Sequence, residues 1–209
     1  MARQGLALAS ALALGVAACG PATEAKPPPP PPAVAAGAVS FADGAAAARF
    51  HSGRFGLSVA LPDGKAWRID DHGKRELWAT HAPTHSSLTI YQWNETELMN
   101  RAKCETRARE LGLDVEGELD VVEQQVASVP DAWDTRIVVL SELRPASKTV
   151  LGHVLAYASS IRKCIFFHFQ TDARVGEETV VSSRLAVARV TILGGLTMDV
   201  FGAVPREPH

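Results

Sequence analysis

Two histidines, His81 and His85, stand four residues apart, an interval that suits metal binding. Imidazoles at this interval share one face of a helix and can bind a metal ion together when a third ligand follows at a suitable spacing. Pro83 stands between them, and proline in a helix interior removes a hydrogen bond and clashes with the preceding turn. No third ligand follows at a recognisable spacing, so the sequence predicts a strand end and a turn here, and no metal site.

A second candidate site is hydrolytic, because Asp70, His72 and His81 could supply a carboxylate and two imidazoles for acid–base catalysis. The hydroxyls of Ser86 and Ser87 could act as nucleophiles, but no base partner is recognisable beside them. The sequence contains no G-x-S-x-G, H-E-x-x-H, Walker or G-x-G-x-x-G motif. We therefore expect no enzyme, no catalytic residue and no cofactor, and a hydrolase built from Asp70, His72 and His81 stays an alternative.

The first eighteen residues have the pattern of an export signal. Arg3 supplies a positive charge, and residues 6–18 form a run of thirteen apolar or small residues. A bilayer-spanning helix needs about 20 apolar residues, so this run is too short and fits the apolar region of a secretory signal peptide. The sequence predicts a signal peptide over residues 1–18.

The end of that segment, Val16-Ala17-Ala18-Cys19, resembles the bacterial lipobox. In lipoproteins with this motif the cysteine receives a diacylglyceryl group, cleavage occurs just before it, and its new amino group is acylated. The resemblance implies that Cys19 carries the lipid, of the palmitate type. Several acyl chains at about 0.8 kcal/mol per buried CH₂ anchor a protein permanently. A soluble export signal that ends near a cysteine, or an uncleaved membrane anchor, would be the alternatives.

The lipid anchor implies a place in the bacterial cell envelope, with the membrane as a partner through Cys19. In the enterobacterial sorting rule, an aspartate after the lipidated cysteine retains a lipoprotein at the inner membrane. Gly20 stands at this position and favours the periplasmic side of the outer membrane. The net charge of −2 and the absence of a basic run argue against nucleic acid as a partner.

Lipidation of Cys19 leaves two other cysteines, Cys104 and Cys164. An exported domain with one remaining pair favours a disulfide between them. Closing a loop of about 60 residues stabilises a protein by roughly 4 kcal/mol in the chain-entropy description. Two separate buried thiols are the alternative, and the lack of a C-x-x-C motif argues against a redox catalyst.

The sequence between the anchor and the predicted domain is a tether. Residues 19–49 comprise the lipidated cysteine and a flexible linker rich in proline and alanine, and the six prolines at 27–32 must be extended. At about 3.1 Å per residue these six span roughly 19 Å. We expect a spacer, with a proline-rich ligand or a segment that crosses the cell wall as alternatives. The globular domain is predicted over residues 50–195, and residues 196–209 form a C-terminal tail.

Two helices and seven strands are predicted within this domain. The first helix covers residues 94–111, with Asn94 as its N-cap. The second opens at or near Asp172, runs through residues 177–192 and is stopped by Gly194 and Gly195. Alternating or β-branched runs predict strands within 54–62, 75–82, 86–93, 119–128, 134–143, 149–159 and 161–171. His168 lies in an aromatic run and is expected to be packed or hydrogen-bonded rather than to act as a ligand.

The order of strands, helix, strands and helix fits an antiparallel sheet that carries helices. The stretch GRFGLSVALPDGKAW at residues 53–67, followed by a hairpin, a helix, a meander and a C-terminal helix, resembles the Mog/PsbP family over about residues 50–195. The resemblance implies an α+β fold, a three-layer α/β/α sandwich with a central antiparallel sheet. Members of the family are mostly non-enzymatic and include a Ran-binding factor, an extrinsic photosystem subunit, secretion chaperones and bacterial lipoproteins of the DcrB type.

The expected function is that of a membrane-anchored envelope lipoprotein that acts as a non-catalytic binding or assembly module. Its partner would be a neighbouring envelope protein. A carrier of a small apolar ligand is an alternative, with a pocket between helix and sheet that is lined by Phe166, Phe167 or tryptophans. The tryptophans are expected to pack in the core or at its rim, and they are Trp67, Trp78, Trp93 and Trp133.

Overall fold

The computed structural model of the protein describes residue 41, residues 47–130 and residues 132–199. The predicted signal peptide, Cys19 and the prolines of the linker lie outside the described residues, as does the tail beyond residue 199. Within the described part of the chain, no helix has the length and apolar character that a membrane crossing requires.

The described residues form ten strands, two α-helices and a π-helical turn that continues the second helix. In chain order they are β1 Ala48–Ser52, β2 Leu57–Leu61, β3 Trp67–Asp70, β4 Leu77–His81, β5 Ser86–Asn94, α1 Arg101–Glu110, β6 Asp120–Ser128, β7 Asp134–Arg144, β8 Thr149–Ser160, β9 Lys163–Arg174, α2 Glu178–Val187, the π-helical turn Ala188–Leu193 and β10 Thr197–Met198.

Seven strands form one antiparallel sheet in the order β3-β4-β5-β9-β8-β7-β6. The other three form a small antiparallel sheet in the order β1-β2-β10. Helix α1 packs on one face of the large sheet, and α2 packs on the other face together with the small sheet. The predicted α+β class, with a central antiparallel sheet between two outer layers, is confirmed.

The two central strands, β8 and β9, are buried on both faces. Successive side chains of a strand point to opposite faces, and Phe166 and Phe167 accordingly enter different clusters while both are at most 2% exposed. Phe167 belongs to the larger cluster on the α2 side, with Leu185 and Ile192. Phe166 belongs to a smaller cluster on the α1 side, with Ala108.

Helix α2 approaches the sheet closely because β8 has no side chain at Gly152. A Cβ atom at this position would lie 2.5 Å from Cγ1 of Val181 and 2.7 Å from Cδ1 of Leu185. Both helix residues face the sheet, as the spacing of four predicted. The last predicted turn of this helix is present, but it has π-helical hydrogen bonding over Ala188–Leu193.

The first helix starts later than predicted. Asn100, not Asn94, is its N-cap, and its side chain accepts a hydrogen bond from the backbone nitrogen of Lys103 at 2.9 Å. Asn94 instead ends β5. The capping prediction at Asn94 was wrong because residues 95–99 bond to the turn between β8 and β9, which is distant in sequence.

The domain extends beyond both predicted boundaries. Ala48–Ser52 pairs with β2 although residues 48 and 49 were assigned to the linker. Leu196 is 2% exposed and Thr197–Met198 also pairs with β2, although both were assigned to the tail. Strands β1, β3 and β10 escaped prediction because they are short or lack an alternating apolar face.

A disulfide joins Cys104 of α1 to Cys164 of β9, with 5.6 Å between the two Cα atoms. This is the pairing predicted from the sequence. Cys104 and Cys164 are both fully buried, and Cys164 is the second residue of its strand. The bond therefore ties the first turn of α1 to the point where β9 leaves its turn.

Reduction of this disulfide should lower the free energy of unfolding by about 4 kcal/mol, because the bond closes a long loop in the unfolded chain. Urea denaturation with and without reductant measures the difference, with the double variant Cys104→Ser/Cys164→Ser as the matched control. The control should be insensitive to reductant. Thiol titration of unfolded wild-type protein should find two more thiols after reduction, and an equal count before and after would contradict the bond.

Candidate binding groove

A groove of about 1300 Å³ opens at one end of the sandwich. Five separate parts of the chain line it: the turn between β1 and β2, the end of β5, Trp133, the turn between β8 and β9, and β10. We call it the hairpin groove, and its lining residues are Gly53, Arg54, Phe55, Gly56, Gln92, Asn94, Glu95, Trp133, Ser160, Ile161, Arg162, Lys163, Thr197, Met198 and Asp199.

Apolar side chains form the floor of the groove. Trp133 is 8% exposed and belongs to the α2-side core, and Phe55 and Met198 pack against the same core while half-buried. Because these side chains continue the core, the floor is fixed by the same packing that holds the domain together. An apolar group placed on it would be removed from water without reorganisation of the protein.

The turn between β8 and β9 forms one wall of the groove and is held by main-chain hydrogen bonds. The carbonyl of Ile161 accepts from the backbone nitrogen of Met99, and the carbonyl of Arg162 accepts from that of Glu95, both at 2.7 Å. The side chains of Ile161 and Arg162 remain exposed. The wall is therefore a rigid backbone that presents one aliphatic and one cationic side chain.

The opposite wall comes from the turn between β1 and β2. The guanidinium of Arg54 donates to the carbonyls of Asp71 and His72 at 2.8 and 3.1 Å, and it lies 4.9 Å from the ring centroid of Phe55. The backbone nitrogen of Asp199 donates to the carbonyl of Gly56 at 2.8 Å. These contacts hold a cation over the apolar floor without a carboxylate partner.

The three residues of the proposed hydrolase site are not brought together. The carboxylate of Asp70 accepts hydrogen bonds from the backbone nitrogens of Gly73 and His72, which lower the pKa of that carboxyl. The side chain of His72 is 84% exposed and lies 2.9 Å from Asp71. His81 is 1% exposed and packs in the core.

His81 does have hydroxyl neighbours, which the sequence did not reveal. Its Nδ1 lies 2.8 Å from Oγ1 of Thr84, which lies 2.8 Å from Oγ of Ser86, and Oδ2 of Asp63 lies 3.9 Å from its Nε2. Burial lowers the pKa of His81. Thr84 and Ser86 are at most 3% exposed, so these groups stabilise the turn between β4 and β5 from within the core.

The same turn is held by a buried arginine of α2. The Arg184 guanidinium donates to the carbonyls of Thr84 and Asp172 at 3.0 and 2.7 Å and to Oγ1 of Thr171 at 3.2 Å. Arg184 is 4% exposed. It joins α2, β9 and this turn, and no spacing rule could have indicated such a contact.

The histidines at four-residue spacing also lie in different environments. His85 follows the turn, has a left-handed backbone with φ of 49° and a side chain 73% exposed, whereas His81 is buried. The imidazole of His85 lies 3.6 Å from a carboxylate oxygen of Asp172. Within the described ranges, no three His, Cys, Asp or Glu side chains are grouped so that they could hold a metal ion.

The four tryptophans do not share one surface. Trp67 and Trp133 are buried on the α2 side of the sheet, and Trp93 packs against the α1-side cluster while half-buried. Trp78 is half-buried, and Nζ of Lys74 lies 4.0 Å from the centroid of its ring. Trp133 is the only one of the four that lines the hairpin groove.

His168 is hydrogen-bonded in the sheet, as predicted. Its Nε2 lies 3.1 Å from Nδ1 of His153 on the neighbouring strand β8, and the ring of Phe166 lies 6.0 Å from its own. Burial lowers the pKa of each imidazole to about 4; nearby Glu142 opposes the shift of His153 and Arg144 adds to it. Both imidazoles are therefore neutral near pH 7, and one donates to the other.

Acidification should destabilise the protein below pH 6.5, because the unfolded chain binds protons at the ordinary histidine pKa while the folded pair stays neutral down to about pH 4. In this window each histidine lowers the free energy of unfolding by up to about 1.4 kcal/mol for each pH unit of acidification. Urea denaturation between pH 7 and pH 4.5 measures the slope. His168→Gln should reduce the slope between pH 6.5 and 5, and an unchanged slope in this variant would contradict the account.

No protein-family model matches the chain, and no curated protein matches it. Solved structures do match. The 1.9 Å crystal structure of the Saccharomyces cerevisiae Ran-binding protein Mog1p is similar with a TM-score of 0.53 and 7% identity, over 72% of this chain and 94% of that one. A Bacteroides thetaiotaomicron protein is similar with a TM-score of 0.46 and 11% identity. The match covers 74% of this chain and 49% of the Bacteroides protein, so this chain spans about half of that protein's length. The described domain has a Mog/PsbP-like fold.

Proposed function

We propose that this protein is a membrane-anchored lipoprotein of the bacterial envelope whose domain binds a segment of a neighbouring envelope protein in the hairpin groove, without catalysing a reaction. The observation that carries the proposal is the composition of the groove. Its floor is apolar and continuous with the core, and its walls are held by main-chain hydrogen bonds. A site that is already ordered loses little entropy when a partner binds.

The site has the features of a protein interface more than those of an enclosed ligand pocket. Interfaces combine a desolvated apolar centre that contains aromatic residues and arginine with a polar rim. Trp133 and Phe55 supply the aromatic centre, and Arg54 and Arg162 stand at its edge. The fold itself carries no activity, so the proposal depends on these residues and not on the likeness to a Ran-binding protein.

The proposed lipid anchor would keep the domain close to membrane-bound partners. The lipobox at Val16–Cys19 would hold the chain at the membrane, and the linker, whose six prolines span roughly 19 Å, would act as a spacer between the membrane and the domain. A binding domain on such a tether meets membrane-bound partners at a raised effective concentration. Gly20 is the reason to place it on the periplasmic side of the outer membrane.

A carrier of a small apolar ligand is the second candidate, and one observation favours it. A cleft of about 300 Å³ lies between α2 and strands β6 and β7 and is lined in part by Val122, Val139 and Leu185. It is at the lower limit of ligand-pocket volumes. The predicted lining was different, because Phe166 and Phe167 are buried in separate clusters.

The Cys19→Ser variant should be released from membranes, because its side chain cannot form the thioether to lipid. Fractionation of cells that express the wild-type and the variant measures this, and metabolic labelling with palmitate should mark only the wild-type chain. A variant that still sediments with membranes would contradict lipid anchoring.

We place a photo-cross-linking residue at position 161 of the full-length chain in living cells. It should form an adduct that protease digests and that has the same mass in repeated experiments, as expected for one protein partner. The same residue in place of Arg68, an exposed position on β3 outside the groove, is the matched control and should form none. Adding Arg162→Glu to the Ile161 probe should abolish the adduct. Equal adducts at both positions, or adducts to lipid alone, would contradict binding of a protein in the groove.

A further inference from the structure

We infer that the hairpin groove takes an extended acidic segment of its partner, with a large apolar side chain on the floor and a carboxylate on Arg162. This inference rests on the proposed function and names the chemistry of the bound segment. Three observations on different residues support the inference: the charge on the rim, the backbone strain at Ile161 and the shape of the groove.

The uncompensated charge on the rim is positive. Arg162 is exposed, and among the described residues its side chain has no charged or hydrogen-bonding partner. The guanidinium of Arg54 donates its hydrogen bonds to main-chain carbonyls, which carry no net charge. Of the two carboxylates in the groove, Glu95 accepts from the guanidinium of Arg107 at 3.1 Å, so Asp199 supplies one negative charge against the two arginines of the rim. Complementary charge on a partner speeds association and selects against basic segments.

Ile161 has a backbone conformation that does not suit its side chain. Its φ is 55°, in the left-handed region where β-branched residues are outliers and glycine is unstrained. Its side chain is 73% exposed, so packing within the domain does not repay the strain. The two-residue turn between β8 and β9 favours a positive φ, and glycine at this position would adopt it without the strain that isoleucine has. A bound partner that covers Ile161 would remove this exposed aliphatic side chain from water.

A second exposed aliphatic residue lies beside it. Leu98 is 68% exposed, and its neighbour Met99 donates the hydrogen bond that holds Ile161. Leu98 therefore adds exposed apolar surface close in sequence to the residue that bonds the turn, outside the lining of the groove itself. A segment that runs from Phe55 and Trp133 across the turn would bury both side chains.

The shape and the two carboxylates favour a polypeptide over a membrane surface. A lipid surface is broad and does not enter a groove whose floor lies between two turns. Glu95 and Asp199 would face the phosphates of an anionic bilayer. An extended segment can place its acidic side chains toward Arg54 and Arg162 and its apolar ones on the floor, because side chains alternate along an extended chain.

Peptide binding by the full-length chain in detergent tests the inference. The probe is a fluorescent ten-residue peptide of alternating glutamate and leucine or phenylalanine, and fluorescence anisotropy gives its affinity. Two control peptides are used. In one, lysine replaces each glutamate, and in the other, serine replaces each apolar residue. The acidic apolar peptide should bind about tenfold more tightly than either. Arg162→Glu should lose about tenfold in affinity, and Arg68→Glu, with the same change in charge, should bind like the wild type.

Ile161→Gly separates a binding role from a structural one. Glycine relieves the strained backbone, so the variant should unfold at a higher urea concentration than the wild type. It should also bind the acidic apolar peptide about threefold or more weakly, because one buried aliphatic side chain is lost. Unchanged affinity would overturn the role given to Ile161.

The outcomes distinguish this inference from the proposed function. A protein adduct at position 161 without preference for the acidic peptide overturns the inference and leaves the proposed function standing. Binding to vesicles of phosphatidylglycerol and phosphatidylethanolamine that Arg162→Glu abolishes, with no peptide binding, identifies a membrane-contact surface and overturns the inference. Absence of a protein adduct together with absence of peptide binding overturns both.

Discussion

The structure depends on the burial of β8 and β9 on both faces. Strands buried in this way are apolar almost throughout, and a sheet that contains them needs a packed layer on each side. Helix α1 supplies one layer, and α2 with the small sheet supplies the other. The imidazoles of His153 and His168, in the middle of these strands, are neutral and bond to each other, while Nε2 of His153 has no hydrogen-bond partner among the described residues.

The position of the hairpin groove follows from this constraint. β8 and β9 are twelve residues each and are joined by two residues, so the turn projects from the best-packed part of the sheet. The hydrogen bonds to Glu95 and Met99 hold that turn on its outer side. The wall of the groove therefore shares the rigidity of the core, which is unusual for a loop. Binding residues placed here need no ordering step when a partner arrives.

The strands of the large sheet were largely predictable because their apolar and β-branched runs are long, as in β7, β8 and β9. The start of α1 was not, because the hydrogen bonds that keep residues 95–99 out of the helix come from a turn more than sixty residues away. The groove was not predictable for a related reason. Trp133, Ile161 and Met198 belong to separate segments that carry no motif, and only the packing of the layers brings them together.

The disulfide between Cys104 and Cys164 gives the groove a dependence on redox conditions. Helix α1 has ten residues, too few to be stable by itself in water, and it follows directly after the segment that holds Ile161. Packing on the sheet and ion pairs such as those of Arg101 with Asp134 and of Glu105 with Arg136 hold this helix, and under oxidising conditions the disulfide adds a covalent bond. Under the proposed export, the covalent support of the outer wall of the groove would form only after the chain reaches an oxidising compartment.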